Sequence, residues 1–241
     1  MAPPDPPQAA RDTIGASLFT GIEPAEYDEI RRRAVTRRFQ PDEAIFHEGE
    51  PAAAVHVVAT GRVKLTQNTA EGHEVVIRFL GPGDALAAVA AVAGAAYPAT
   101  AWTQTECQLL LWPHEVFTEL LLAHPRLAGN VIRLLSERLG EMQERFRELA
   151  TERVAQRIAR ALSRLVRQAG RRVENGVLID LPLSRQSLAE MTGTTLYTVS
   201  RILSEWESRG FVDSSRERVV ICQPHALVVI AEDLPPPPTH P

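Results

Sequence analysis

A chain of 241 residues suffices for one large or two modest domains. Its 44% hydrophobic content is that of an ordinary folded protein, and no apolar run reaches the roughly 18–20 residues of a membrane span; the longest, Ala85–Ala96, is short and alanine-rich. A net charge of −4 does not itself suggest a nucleic-acid binder, but residues 151–230 hold 12 arginines against 8 carboxylates (+4), whereas residues 1–150 hold 14 basic against 20 acidic side chains (−6).

The N-terminus, MAPPDPPQAARD, lacks the charged start and apolar block of a secretory signal, which points to a cytoplasmic protein without a membrane partner. Proline clusters at Pro3–Pro7 and Pro235–Pro238 predict disorder at both ends; residues 1–17 form a disordered N-terminus and 226–241 a C-terminal tail. Ile22–Arg33 reads as a helix with Pro24 in its first turn. Short β patterns follow at Glu43–Phe46, Ala54–Thr60, Val63–Thr66, Glu74–Leu80 and Cys107–Trp112. Gly49-Glu50-Pro51, Gly61-Arg62, Ala70-Glu71-Gly72 and Gly81-Pro82-Gly83-Asp84 separate them, as in a small β-barrel or roll spanning 18–125.

A long helix over 126–150 comes next. Leu127, Val131, Leu135, Leu139, Met142, Phe146 and Leu149 form a narrow apolar stripe between charged residues. Such a stripe needs a cover. A second copy of the chain, in a parallel coiled coil, is the preferred one, and the chain's own barrel is the alternative. Thr151 is placed to cap a further helix, Glu152–Gln168, with Val154, Ile158, Leu162 and Leu165 inward. Gly170 and Asn175-Gly176 then lead to a strand at Val177–Leu181, so the break near 149–151 is the expected domain boundary.

The stretch LSRQSLAEMTGTTLYTVSRILSEWESRGFV, 183–212, carries the most information. Ser184 caps one helix with Leu188, Ala189 and Met191 on its apolar side. Gly193 makes the turn, and Thr194 or Thr195 caps a second helix whose inner face is Val199, Ile202, Leu203 and Trp206. Its outer face shows Leu196, Tyr197, Ser200 and Arg201. Arg201 has the donor fork that matches a guanine edge, while Arg185, Gln186, Thr195 and Thr198 are placed to hold phosphates. Gly210 ends that helix, and a turn at Asp213–Glu217 with a strand at Arg218–Ile221 completes a winged helix-turn-helix over 151–225. The fold class is therefore α+β: sensor roll, dimerisation helix, DNA-binding domain.

The order of these parts resembles the CRP/FNR family of bacterial transcription regulators over about residues 18–225, most specifically at Thr198-Val199-Ser200-Arg201, at Phe79-Leu80-Gly81-Pro82-Gly83-Asp84 and at Glu152-Arg153-Val154-Ala155. The resemblance implies a homodimer on a palindromic double-stranded operator, with an effector in the roll. Arg201 matches the guanine-reading arginine, and Ser200 the serine of the FNR-type branch. Tyr197 departs from the usual cytosine-reading glutamate. A TTG-type half-site stays compatible with Arg201.

The implied effector pocket is Gly83, Asp84, Ala85 and Leu86 with Tyr97 and Thr100. In that family an arginine followed by serine or threonine holds the cyclic phosphate; here the position reads Tyr97-Pro98-Ala99-Thr100, and no lysine or arginine lies between Arg78 and Arg126. A buried phosphate there has no cationic partner, which argues against a cyclic nucleotide. The two cysteines, Cys107 and Cys222, are too few for an iron–sulfur cluster and form no zinc pattern. Haem, by resemblance to the nitric-oxide-responsive DNR and NnrR members, stays open as the cofactor, with no ligand singled out among the seven histidines: His56 reads as inward or surface-facing and His73 as solvated. A constitutive regulator with no effector and a cyclic-nucleotide-binding regulatory protein are the other readings. No enzyme motif is found. Activation would need a surface for RNA polymerase, for which the loop Asn68–Gly72 is a candidate.

Overall fold

The computed structural model describes residues 18–68, 74–215 and 217–234. The ends expected to be disordered, 1–17 and 235–241, lie outside these residues, as do His73 and most of the Asn68–Gly72 loop. The chain divides into two compact units, one up to Glu141 and one from Met142.

In the first unit, helix α1 (Pro24–Arg32) precedes strands β1 (Val35–Phe39), β2 (Ala44–Phe46), β3 (Ala54–Thr60), β4 (Val63–Asn68), β5 (Glu74–Leu80) and β6 (Ala85–Leu86). A short helix α2 (Ala88–Val92) then leads to β7 (Thr100–Thr103), β8 (Cys107–Pro113) and helix α3 (His114–Ala123). The strands form two four-stranded antiparallel sheets, ordered β1-β8-β3-β6 and β2-β7-β4-β5. Val55, Val57 and Val58 of β3 and Leu109 and Trp112 of β8 are fully buried in the roll's core. Such strands read as continuous apolar runs because both of their faces are covered. Trp112 Nε1 donates to the Ile30 carbonyl at 2.8 Å, which fixes α1 to the roll.

Helix α4 (Pro125–Thr151) is the long helix. Its start is held by the segment before α1: Asn130 Nδ2 donates to the carbonyls of Leu18 (2.8 Å) and Thr20 (3.0 Å), and Arg126 donates to Gly21 O. His124, at the junction, pairs through Nδ1 with Glu26 at 2.8 Å. The expected dimer stripe needs correction here. Leu127 and Val131, with Leu134, are buried in the core of their own roll and are not free to meet another helix. The exposed stripe is Ile132, Leu135, Leu139, Met142, Phe146 and Leu149, each between 47% and 75% exposed. Ile132 was not foreseen.

The second unit holds helix α5 (Val154–Ala169), strands β9 (Gly170–Val173) and β10 (Gly176–Ile179), helices α6 (Arg185–Thr192) and α7 (Leu196–Ser208), strands β11 (Val212–Ser215) and β12 (Arg218–Ile221), and helix α8 (Pro224–Ala231). One antiparallel sheet runs β11-β12-β10-β9. The last turns of α4 belong with this unit: Glu148, 3% exposed, pairs with Arg164 at 2.6 Å, and Glu152 pairs with Arg160 at 3.1 Å. The division therefore falls at 141/142, ahead of the expected break near 149–151. Thr151 ends α4, its Oγ1 donating to Arg147 O, and does not cap α5; Arg153 occupies the cap, its N–H bonded to Gln156 Oε1 at 2.8 Å. The start of the expected tail is instead the end of α8, whose Leu227 and Ala231 are buried.

Candidate nucleic-acid interface

The cap residues predicted from the sequence fix both helices of the hairpin. Ser184 Oγ accepts from Ser187 N at 3.0 Å at the start of α6, and Thr195 Oγ1 accepts from Thr198 N at 3.2 Å at the start of α7. Each satisfies an N–H that its helix leaves unpaired. Gly193 turns the chain at φ +60°, where a side chain is disfavoured, and a Cβ there would also come within 2.9 Å of Leu149. Leu188, Ala189, Val199, Ile202, Leu203 and Trp206 are buried, so the opposite face of α7 is fixed outward.

That outward face presents Leu196 (48% exposed), Tyr197 (77%) and Arg201, with Thr198 and Ser200 half-buried beside them. Arg201 makes no hydrogen bond or ion pair among the described residues. Its guanidinium is therefore available to an acceptor pair such as a guanine edge. The expected phosphate contacts are less free. Arg185 is shared between Glu207 Oε1 (3.4 Å) and Ser214 Oγ (3.1 Å), and Gln186 donates to Glu190 at 2.8 Å. Thr194 is half-buried at the turn, its N–H on Ala189 O at 3.0 Å. Strands β11 and β12 form the wing, paired from Val212↔Ile221 to Ser215↔Arg218.

A residue that the sequence reading missed holds this hairpin in place. Arg157 of α5 donates from Nε to Thr192 O (2.9 Å), from Nη1 to Glu152 O (2.9 Å) and from Nη2 to Gly193 O (3.3 Å). One planar cation thus ties the turn between α6 and α7 to the link between α4 and α5. Nothing in its spacing marks it, since Arg160, Arg164 and Arg167 share the same helix.

In the roll, Asp84 Oδ2 accepts from Gly81 N at 2.9 Å and Gly83 N donates to Val58 O at 2.8 Å, closing the turn after β5. Burial pushes the Asp84 carboxyl above the usual carboxylate range. Ala85 and Leu86 pair with Val57 and His56. Tyr97 stacks on Phe46 at 3.9 Å with its hydroxyl on the Ala54 backbone, and Thr100 Oγ1 accepts from Glu48 N at 3.0 Å. His56 lies against this aromatic pair, 5.3 Å from Phe46 and 6.3 Å from Tyr97 between ring centres. It is 4% exposed, and its Nδ1 has no hydrogen-bond partner among the described residues. Burial, then the nearby Arg37 charge, lowers its pKa to about 4, so the ring is neutral at pH 7. Of the two orientations left open by the sequence, His56 faces inward and belongs with the expected pocket residues.

Residues 36–124 match the family model of the cyclic nucleotide-binding domain, and residues 156–230 that of the Crp-like helix-turn-helix domain. The chain is 22% identical over 212 residues to a CRP-like cAMP-activated global transcriptional regulator of Mycobacterium tuberculosis, covering 88% of this chain and 95% of that protein. It is 29% identical over 194 residues to a global nitrogen regulator of Synechococcus elongatus, covering 79% and 86%. Among solved structures it superposes on the c-di-GMP-responsive global regulator CLP of Xanthomonas campestris with a TM-score of 0.71 at 23% identity, covering 83% of this chain and 99% of that one.

Proposed function

Because the chain belongs to the CRP/FNR family of DNA-binding transcription regulators, we propose that it acts as a homodimer on a DNA sequence with inverted symmetry, under control of the roll. The observation that carries this reading is the uncommitted Arg201 on the outer face of a fully capped α7. The exposed apolar stripe of α4 supports the second copy, because large side chains in water at helical spacing are stabilised by a partner helix. Replacing Arg201 with Ala tests it. Binding to a duplex selected from random sequence weakens by about 1–3 kcal/mol, the worth of a bidentate guanine contact, while urea unfolding is unchanged. Equal affinity in the variant refutes the assignment. A role in activation would add a contact with RNA polymerase.

The relatives' names differ in the small molecule or process they report, cAMP, nitrogen or c-di-GMP, so family membership leaves the effector open. The absence of a lysine or arginine from 79–125 argues against a cyclic phosphate, and two cysteines argue against an iron–sulfur cluster. A second reading, a haem-dependent, nitric-oxide-responsive regulator, is favoured by one observation: His56 offers a neutral, buried imidazole whose Nδ1 has no hydrogen-bond partner among the described residues, the donor chemistry of a haem-iron ligand. Haem would supply the gas-binding iron. The chain's own part would be to hold the group through His56, with Phe46 and Tyr97 packed beside that ring. Anaerobic haem titration decides it. Saturation at one haem per chain, lost in His56→Ala, supports the reading; a featureless, non-saturating spectrum leaves a dimer without this effector.

A further inference from the structure

The first turn of α7 carries an apolar surface that the fold does not use. Leu196 is 48% and Tyr197 77% exposed, next to an otherwise polar outer face of Thr198, Ser200 and Arg201. Neither is needed to close the hairpin core, which Val199, Ile202, Leu203 and Trp206 complete. Between Leu196 and Arg201 there is no Asn, Gln, Asp or Glu. Adenine is read best by Asn or Gln and cytosine by Asp or Glu, so this turn has the preferred partner of neither. The one apolar feature in the major groove is the C5 methyl of thymine. Tyr197 and Arg201 are four residues apart and lie on the same helix face. One turn is about 5.4 Å along the axis, or one to two base-pair steps of about 3.4 Å.

We infer that Tyr197, flanked by Leu196, is a specificity-determining residue that reads a thymine methyl group within about two base pairs of the guanine read by Arg201. The inference rests on the DNA-binding reading given above. It makes the half-site preference of this chain hydrophobic at one position and hydrogen-bonded at the next. The contact depends on the ring rather than on the phenol oxygen, so phenylalanine retains it and alanine does not.

The test uses the full chain and a duplex selected from random sequence, with each thymine of both half-sites replaced in turn by deoxyuracil, which lacks only the methyl. At one position beside the guanine the wild type binds about fourfold more weakly per methyl removed, the factor expected for one buried carbon. Tyr197→Phe keeps that sensitivity. Tyr197→Ala binds both duplexes alike, yet still discriminates against loss of the guanine. Uracil tolerated at every position, with the guanine still required, overturns this inference and leaves the DNA-binding reading intact. No enriched sequence at all, or affinity unchanged in Arg201→Ala, overturns both.

Discussion

Protonating His56 would place a buried cation against Phe46 and Tyr97, a desolvation cost that its backbone hydrogen bond to Ala54 only partly offsets. Its pKa is about 4 in the fold and 6.5 as a free side chain. Between these values the unfolded chain binds more protons than the native one, so stability rises with pH across that window. The contribution is complete above about pH 6.5 and is lost as pH falls toward 4, up to roughly 3 kcal/mol. Asp84 works in the opposite sense, because burial raises its pKa. The His56→Leu variant isolates the histidine: its urea-unfolding free energy falls less than that of the wild type between pH 7 and 4.5. Parallel pH profiles would show that His56 is solvated in solution. At this scale the helix-turn-helix was legible because its caps are local chemistry: Ser184 and Thr195 each bond a backbone N–H three residues on. His56 was not decided, since alternation in β3 allows either face until the strand is paired.

At the scale of elements, the same limit governed α4. Period alone marks which residues share a stripe, not what covers it. Leu127 and Val131 continue the stripe in sequence, but the roll and the segment before α1 bury them, while Phe146 stays 75% exposed. Phe146→Glu is therefore expected to shift the chain from dimer to monomer at micromolar concentration by sedimentation equilibrium, with little change in its helix content. Strands β3 and β5 were legible to the residue as bounded apolar runs. Strand β1 was not, because VTRRF buries only Phe39 and is held by its pairing with β8. α8 was hidden by the proline run that follows it. Arg157 belongs to this scale too, joining three backbone carbonyls of two loops. Arg157→Ala is predicted to weaken specific DNA binding by about 1–3 kcal/mol, the worth of its charged hydrogen bonds, and to speed amide exchange at 192–195. Unchanged exchange there would show that the turn is set by Gly193 and Thr195 alone.

For the whole molecule, the charge asymmetry and the order of parts are readable in the sequence, whereas the division at 141/142 is not. It depends on Glu148 and Glu152 being buried against Arg164 and Arg160, a tertiary fact with no local signature. A dimer doubles the excess of +4 carried by residues 151–230. DNA affinity is then predicted to fall steeply with salt, with a log–log slope of about −0.9 per phosphate neutralised. A salt-independent affinity would rule out phosphate contacts. The most direct measurement of the central claim is selection of binding sites from random duplexes by the full-length chain, followed by sedimentation of the complex. An inverted repeat with half-site centres about 10–10.5 base pairs apart and two chains per duplex is expected. Recovery of no common sequence, or of a single unrepeated site bound by one chain, would contradict it.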